Sequence, residues 1–230
     1  MTKVDPKLAE KLALACNILA MGGYGNFTMG HVTAREPGQA YLHMKPRGRG
    51  LDEITAEDII LIDLEGNKLA GSAERHSEYP LHTEIYKMYS EVNCVIHSHP
   101  FYSIIVSSTG DGIKVISNEG VLFADIPVFT ETTLLIRTPE QGQAVARCLN
   151  GHRALLMHNH GVIVTGTSVE EATIYALLLE RAAKLQVIAS QVGSVSWSQT
   201  EEVLRKRNQG VFYPKNIKEF WDYCVRALRK

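Results

Sequence analysis

The sequence is short of several things, and each shortage removes a class of function. No apolar run approaches the ~20 residues needed to cross a bilayer, so a membrane location is not expected. Neither sign of charge dominates: 24 Lys and Arg face 25 Asp and Glu, for a net charge of −1. A polyanion partner calls for a clustered basic surface, so nucleic acid is not an expected partner. Only four cysteines occur (Cys16, Cys94, Cys148 and Cys224), with no C-x-x-C pair among them. That rules against a disulfide framework and points to reduced, buried thiols in a cytoplasmic protein. Leu14-Ala15-Cys16 has the letters of a lipoprotein cleavage box, but Asp5, Glu10 and Lys11 interrupt any secretory segment before it. Repeats, low-complexity stretches and an obvious linker are also missing. What is present is 230 residues, 45% of them hydrophobic, enough to bury a sizeable core. The expectation is one domain over 1–230, with a helical tail from about residue 198.

Helices and strands both follow from the pattern of apolar positions. Leu8, Leu12, Ala15 and Leu19 recur at helical spacing after Asp5-Pro6, and Gly22-Gly23 should end that helix. Val32 and Ala34 alternate with polar neighbours and predict a short strand, with Tyr41 to Met44 as its return. Ile59 to Leu64 and Lys68-Leu69 flank a tight turn and predict a hairpin. A helix should run from about Leu81 to Tyr89, followed by the strand around Cys94 to His99 and a short helix opened by Pro100. Val121 to Phe129 and Ala154 to Val164 read as further strands, separated by a helix from Thr138-Pro139 to Asn150-Gly151. Ser168 should cap a long helix over Val169 to about Val192. In the tail, a charged segment near Glu201 to Arg207 precedes a last helix. It carries Phe220, Cys224 and Leu228 on one stripe with Trp221 alongside.

The segment Cys94-Val95-Ile96-His97-Ser98-His99-Pro100 carries the strongest chemical signal. On a strand, residues two apart share a face, so both imidazoles can reach one ion. A third candidate is His160, where the strand Leu155-Leu156-Met157 meets Gly161 and the apolar run resumes. His158 is a competitor at the same spacing, and the glycine beside His160 favours the latter. Three neutral imidazoles with an open position describe a catalytic metal site. Glu78 is the carboxylate to add, as an occasional ligand or as an acid/base beside the metal. H-x-H alone is equally explained as two polar residues on a half-exposed strand. The loop Lys45-Pro46-Arg47-Gly48-Arg49-Gly50 is basic and glycine-rich, suited to a planar anion, although a plain surface loop has the same composition. Two other metal patterns fit less well. A cupin would need a glutamate soon after H-x-H, and Phe101 to Gly110 has none. A JAMM-type zinc peptidase shares His-Ser-His-Pro and Ser107, but Gly110 stands where its aspartate belongs and Asp111 comes one residue late.

Taken together, Gly30-His31-Val32-Thr33-Ala34-Arg35, Ser77-Glu78, His97-Ser98-His99 and His160-Gly161, in this order, resemble the class II aldolase/adducin family. The resemblance runs from about Leu8 to Val192. It implies an α/β/α sandwich on a central, largely antiparallel sheet, assembled as a homo-tetramer or larger ring. It also implies one divalent metal per chain on His97, His99 and His160, with Glu78 as ligand or proton shuttle. Three histidines suit zinc best, while manganese, iron or cobalt tolerate an oxygen-rich substrate.

The departures from the phosphosugar aldolases are as informative. Those enzymes resemble one another in a Gly-Asn pair where this chain has Gly30-His31. They carry Thr-Pro-Ser/Thr-Gly where it has Lys45-Pro46-Arg47-Gly48, and a second small hydroxyl residue where it has His76, beside Ser77. The tyrosine that they present from a neighbouring subunit has no counterpart in Val115 to Gly120. Substitution by His31, Arg47 and His76 fills a phosphate pocket and leaves a cationic wall, with Arg49 close by, better suited to a carboxylate. The expected activity is a metal-dependent carbon–carbon lyase working through a metal-stabilised enolate on a small molecule. Decarboxylation of a hydroxylated aromatic or heteroaromatic acid is the first candidate. Retro-aldol cleavage of a small hydroxy-carbonyl or sugar phosphate is the alternative.

Overall fold

The computed structural model describes residues 3–210 and 214–229. Among these residues eight strands form one sheet: β1 (His31–Ala34), β2 (Tyr41–Met44), β3 (Ile60–Asp63), β4 (Lys68–Ala70), β5 (Cys94–Ser98), β6 (Val128–Phe129), β7 (Ala154–Met157) and β8 (Gly161–Gly166). Their order is β4-β3-β2-β1-β5-β8-β7-β6. Every pairing is antiparallel except that of β6 with β7.

Period-two side-chain alternation divides the core in two. Along β5, Cys94 and Ile96 enter one cluster and Val95 the other; along β8, Val162 and Val164 oppose Ile163. Helices α1 (Pro6–Leu19), α5 (Val169–Val192) and α7 (Pro214–Ala227) pack on the first face. Helices α2 (Pro80–Met88) and α4 (Pro139–Leu149) cover the second. The result is a three-layer α/β/α sandwich. Helix α3 (Phe101–Ser108) follows β5 directly, and α6 (Thr200–Asn208) lies in the tail.

Local chemistry explains the boundaries. The Asp5 carboxylate accepts from the Lys7 and Leu8 amides to cap α1, and the Ser168 hydroxyl accepts from Glu171 to cap α5. Thr138 and Gln141 form a reciprocal capping box at α4, which ends on Asn150 in the left-handed region.

Three segments differ from the sequence expectation. Val121 to Phe129 is a 3₁₀ turn over Glu119–Phe123 followed by the two-residue β6, because Asp125 and Pro127 interrupt the run. A short apolar run does not by itself distinguish strand from helix. Ala154 to Val164 is a hairpin of β7 and β8 around His158-Asn159-His160, turned by Asn159 at φ 53°. In α7 the buried stripe is Ile217, Trp221 and Cys224, while Phe220 is 38% exposed. All four cysteines are free; three are buried and Cys148 is half-buried.

Candidate metal centre

The site forms where the C-terminal end of β5 meets the start of β1 and the β7–β8 turn. His97 on β5 is paired in register with His31 on β1, so both rings rise on the α2 side of the sheet. His99 follows the end of β5. The β7–β8 turn carries His160 over it, because Gly161 lets β8 approach: a Cβ there would lie 2.4 Å from the Ser98 carbonyl oxygen and 2.9 Å from the His99 ring.

The rings of His97, His99 and His160 lie 4.9 to 5.4 Å apart between centroids. One ligand atom from each falls within 4.8 Å of the others. His97 Nδ1 donates to the Val162 carbonyl at 3.0 Å, which leaves Nε2 as a bare lone pair. Among the described residues, His97 Nε2, His99 Nδ1 and both nitrogens of His160 are buried without a hydrogen-bond partner. Buried polar atoms are rarely left so. Three convergent, orphaned imidazoles are a donor set that fits a divalent cation.

The protonation states agree. Burial, with His99 and His160 beside it, holds His97 well below its ordinary pKa. Burial and the His160 ring push His99 down to about 4, and burial also lowers His160. All three are neutral near pH 7, the form that binds metal. His158 is not a competitor in this geometry. Its Nδ1 donates to the Ser107 carbonyl and its Nε2 accepts from the Asn159 amide. Asp111, the peptidase-like alternative, is exposed and paired with Lys114.

Glu78 sits in the turn before α2, with its carboxylate between two histidines: Oε1 is 3.7 Å from His160 Nε2 and Oε2 is 3.9 Å from His31 Nε2. Oε1 accepts from the Ile136 amide at 2.9 Å. Burial raises the Glu78 pKa against the lowering effect of that hydrogen bond. A carboxyl held this way can hold a proton beside the triad. His31, Glu78 and His97 also bring ligand atoms within 4.8 Å of one another.

The remaining predicted residues divide. The His76 ring lies 4.4 Å from that of His31, and His76 Nε2 donates to the Pro46 carbonyl. Arg47 is exposed on the same loop, its backbone amide bonded to Glu74. Arg49 turns to Asp58 at 3.3 Å, and Ser77 is exposed. The wall is less cationic than its composition suggests. Burial keeps His31 well below its ordinary pKa and pushes His76 down to about 4, so neither ring carries charge near neutrality. Positive charge comes from Arg47 and from Lys45. The Lys45 side chain is fully buried, donates to the Thr28 and Pro46 carbonyls, and has its pKa lowered to about 8 by burial.

Sequence reasoning singled out no role for His82, Thr33 and Tyr86, which join His31 in a buried hydrogen-bonded chain. The one available signal was Glu78 and His82 four apart at the start of a helix, which puts both on one face.

Comparison with known proteins identifies the family and the fold. The family described as Class II Aldolase and Adducin N-terminal domain matches residues 10–187. The 3,4-dihydroxyphthalate decarboxylase of Arthrobacter keyseri is 30% identical, over 80% of this chain and 79% of that protein. The L-fuculose phosphate aldolase of Methanococcus maripaludis is 28% identical, over 77% of this chain and 94% of that protein. A solved aldolase II superfamily protein from Pseudomonas syringae superimposes with a TM-score of 0.89 at 23% identity, covering 99% of this chain and 94% of its own. The chain therefore belongs to the class II aldolase and adducin N-terminal domain family and, with a decarboxylase and an aldolase among its relatives, is an enzyme of the metal-dependent lyase type.

Proposed function

We propose that this lyase decarboxylates a hydroxylated aromatic or heteroaromatic carboxylic acid. The observation that carries the reading is the orphaned histidine triad beside a buried, protonatable Glu78. His97, His99 and His160 would hold one divalent ion, zinc being the best match to three nitrogen donors. When bound, that ion supplies Lewis acidity toward substrate oxygens.

The chain's own residues account for the rest. Arg47, exposed at the rim, pairs the substrate carboxylate on approach, while His76, its ring tilted against that of His31, narrows the site. As the carbon–carbon bond breaks, carbon dioxide leaves and the electron pair stays on the ring carbon. Glu78 gives its proton to that carbon and is reprotonated from solvent. Burial suits it to this step, because it favours the acid form that must be present when the carbanion develops. The 30% identity with 3,4-dihydroxyphthalate decarboxylase supports a hydroxylated aromatic acid. A homo-tetramer or larger ring and a cytoplasmic location, the latter suited to four free thiols, belong to the same reading.

Aldol cleavage is the second reading, favoured by the 28% identity with L-fuculose phosphate aldolase. Against a sugar phosphate stand His31, Arg47 and His76, which crowd the positions a phosphate would need. The deciding experiment is metal analysis of the purified protein, coupled to a carbon dioxide-release screen of ortho-hydroxylated aromatic carboxylates. One metal per chain with carbon dioxide evolved supports decarboxylation. Metal without carbon dioxide, but with turnover of aldol substrates, supports the second reading. A protein that takes up no metal under any loading condition defeats both.

A further inference from the structure

The buried chain behind His31 has a direction, and the direction can be worked out from its end. Tyr86 has one hydroxyl proton and donates it to the Thr33 carbonyl at 2.9 Å. The Thr33 hydroxyl donates in turn to the Tyr86 oxygen at 3.1 Å. With its only proton committed, Thr33 Oγ1 can meet His82 Nδ1, 2.7 Å away, only as an acceptor, so His82 carries its proton on Nδ1. A neutral His82 then has a bare Nε2, which accepts from His31 Nδ1 at 2.6 Å. His31 in its turn is left with a bare Nε2. That nitrogen faces Glu78 Oε2 at 3.9 Å, too long for a hydrogen bond and on the metal-site side of the ring.

We propose that His82, Thr33 and Tyr86 lock His31 as the Nδ1–H tautomer, so that its Nε2 is an obligate acceptor that recognises a hydroxyl on the substrate. The inference rests on the reading of the pocket as one for hydroxylated acids, and it deepens that reading by giving the hydroxyl a receptor. It also supplies a reason for rejecting phosphate. The dianion of a sugar phosphate has no proton to offer and would set its oxygens against a nitrogen lone pair. A phenolic or enolic hydroxyl makes the bond. His31 is the group that touches substrate, and His82, Thr33 and Tyr86 act through it as positioning residues.

All four members are buried, so water cannot substitute for a lost link. Thr33 has no exposed surface and sits on β1 two residues from His31, on the same face. Tyr86 comes from α2, one turn beyond His82. The lock therefore joins a strand to the helix that follows Glu78, and fixes β1 and α2 relative to each other.

The test uses the full chain, zinc-loaded and labelled with ¹⁵N at histidine, with tautomers read from imidazole nitrogen shifts. The expected result is Nδ1–H at both His31 and His82, the reverse of the tautomer that predominates for histidine in water. Thr33→Val removes the acceptor and should move His31 toward Nε2–H, whereas Thr33→Ser, which keeps the hydroxyl, should not. In parallel, calorimetry compares 2,3-dihydroxybenzoate with its 2-methoxy analogue and with phenyl phosphate, whose dianion has no hydroxyl. The wild type should favour the free hydroxyl by about tenfold, as one buried hydrogen bond gives. Thr33→Val should erase that preference and Thr33→Ser restore it.

His31 found as Nε2–H in the wild type overturns the proposal, and so does a tautomer indifferent to Thr33→Val in a folded protein. Equal binding of the hydroxyl and methoxy compounds by wild type overturns the recognition role. If the tautomers and the hydroxyl preference hold but no hydroxylated acid releases carbon dioxide, the decarboxylase reading fails and the lock stands.

Discussion

Two walls of one histidine-lined site treat their imidazole nitrogens in opposite ways. On the side of β5 and the β7–β8 turn, His97, His99 and His160 leave four ring nitrogens buried and unpaired. On the side of β1 and α2, His31 and His82 pass a hydrogen bond from ring to ring and on to Thr33 and Tyr86. An unsatisfied buried polar atom costs on the order of 1–3 kcal/mol. The first wall therefore carries a deficit that a bound cation relieves, and the second is nearly complete in itself. Histidine content alone does not separate these roles; the partners of each ring nitrogen do.

The contrast can be broken most severely at the first wall. His97→Ala should take the metal from one ion per chain to none and abolish turnover, measured by metal analysis and carbon dioxide release. Full metal occupancy in that variant would sink the ligand assignment. Next in size is Glu78→Gln, which keeps the shape and removes the transferable proton. Turnover should fall by about 10²–10⁴ while metal content stays unchanged. A variant that kept metal and full activity would rule out the proton-transfer role.

The second wall should show itself in the acid stability of the metal-free protein. Burial pushes the His82 pKa down to about 3, against 6.5 for the ordinary side chain. Between those values the unfolded chain binds a proton that the folded chain does not. The stability contribution is thus complete above pH 6.5 and drains by about 1.4 kcal/mol per pH unit as pH falls toward 3. Denaturant midpoints at pH 7 and pH 5 should converge more for His82→Gln than for the wild type. Equal losses in the two proteins would contradict a buried neutral His82.

The smallest effect separates the two loop arginines. Arg49 is paired with Asp58 and its side chain is 53% exposed, so Arg49→Ala should leave KM unchanged and stability within about 1 kcal/mol. Arg47→Ala should raise KM for a carboxylate substrate several-fold. Reversal of that ranking in steady-state kinetics would move the anion contact to Arg49.

Much of this molecule was legible in the chain because its signals are local. Asp5 and Ser168 cap their helices, α4 opens at Thr138-Pro139 as expected, and α5 runs over Val169–Val192. His97 lies on β5 and His99 just past its end, with their rings 4.9 Å apart. The β7–β8 turn was less legible. The sequence there is apolar on both sides of His158-Asn159-His160, and only Asn159 marks the reversal. The register of β1 against β5, which sets His31 beside His97, is a long-range pairing that no local pattern encodes. Phe220 was expected on the buried stripe of α7 and is 38% exposed, while Ile217 is buried, because the position of α5 decides which arc of the helix is covered.

The sequence by itself marked most of the helices and the His97-x-His99 pair, which depend on spacing along one segment, while the sandwich and the assignment of His160 as third ligand came from the family resemblance. The tertiary structure alone decided which nitrogens are satisfied and which are orphaned. It also made His31 and His76 neutral where composition suggested charge, and it linked His82 to Thr33 and Tyr86. Those properties depend on burial and on atoms brought together across a sheet and a helix. A hydrogen bond or a desolvated imidazole exists only once the chain has closed around it.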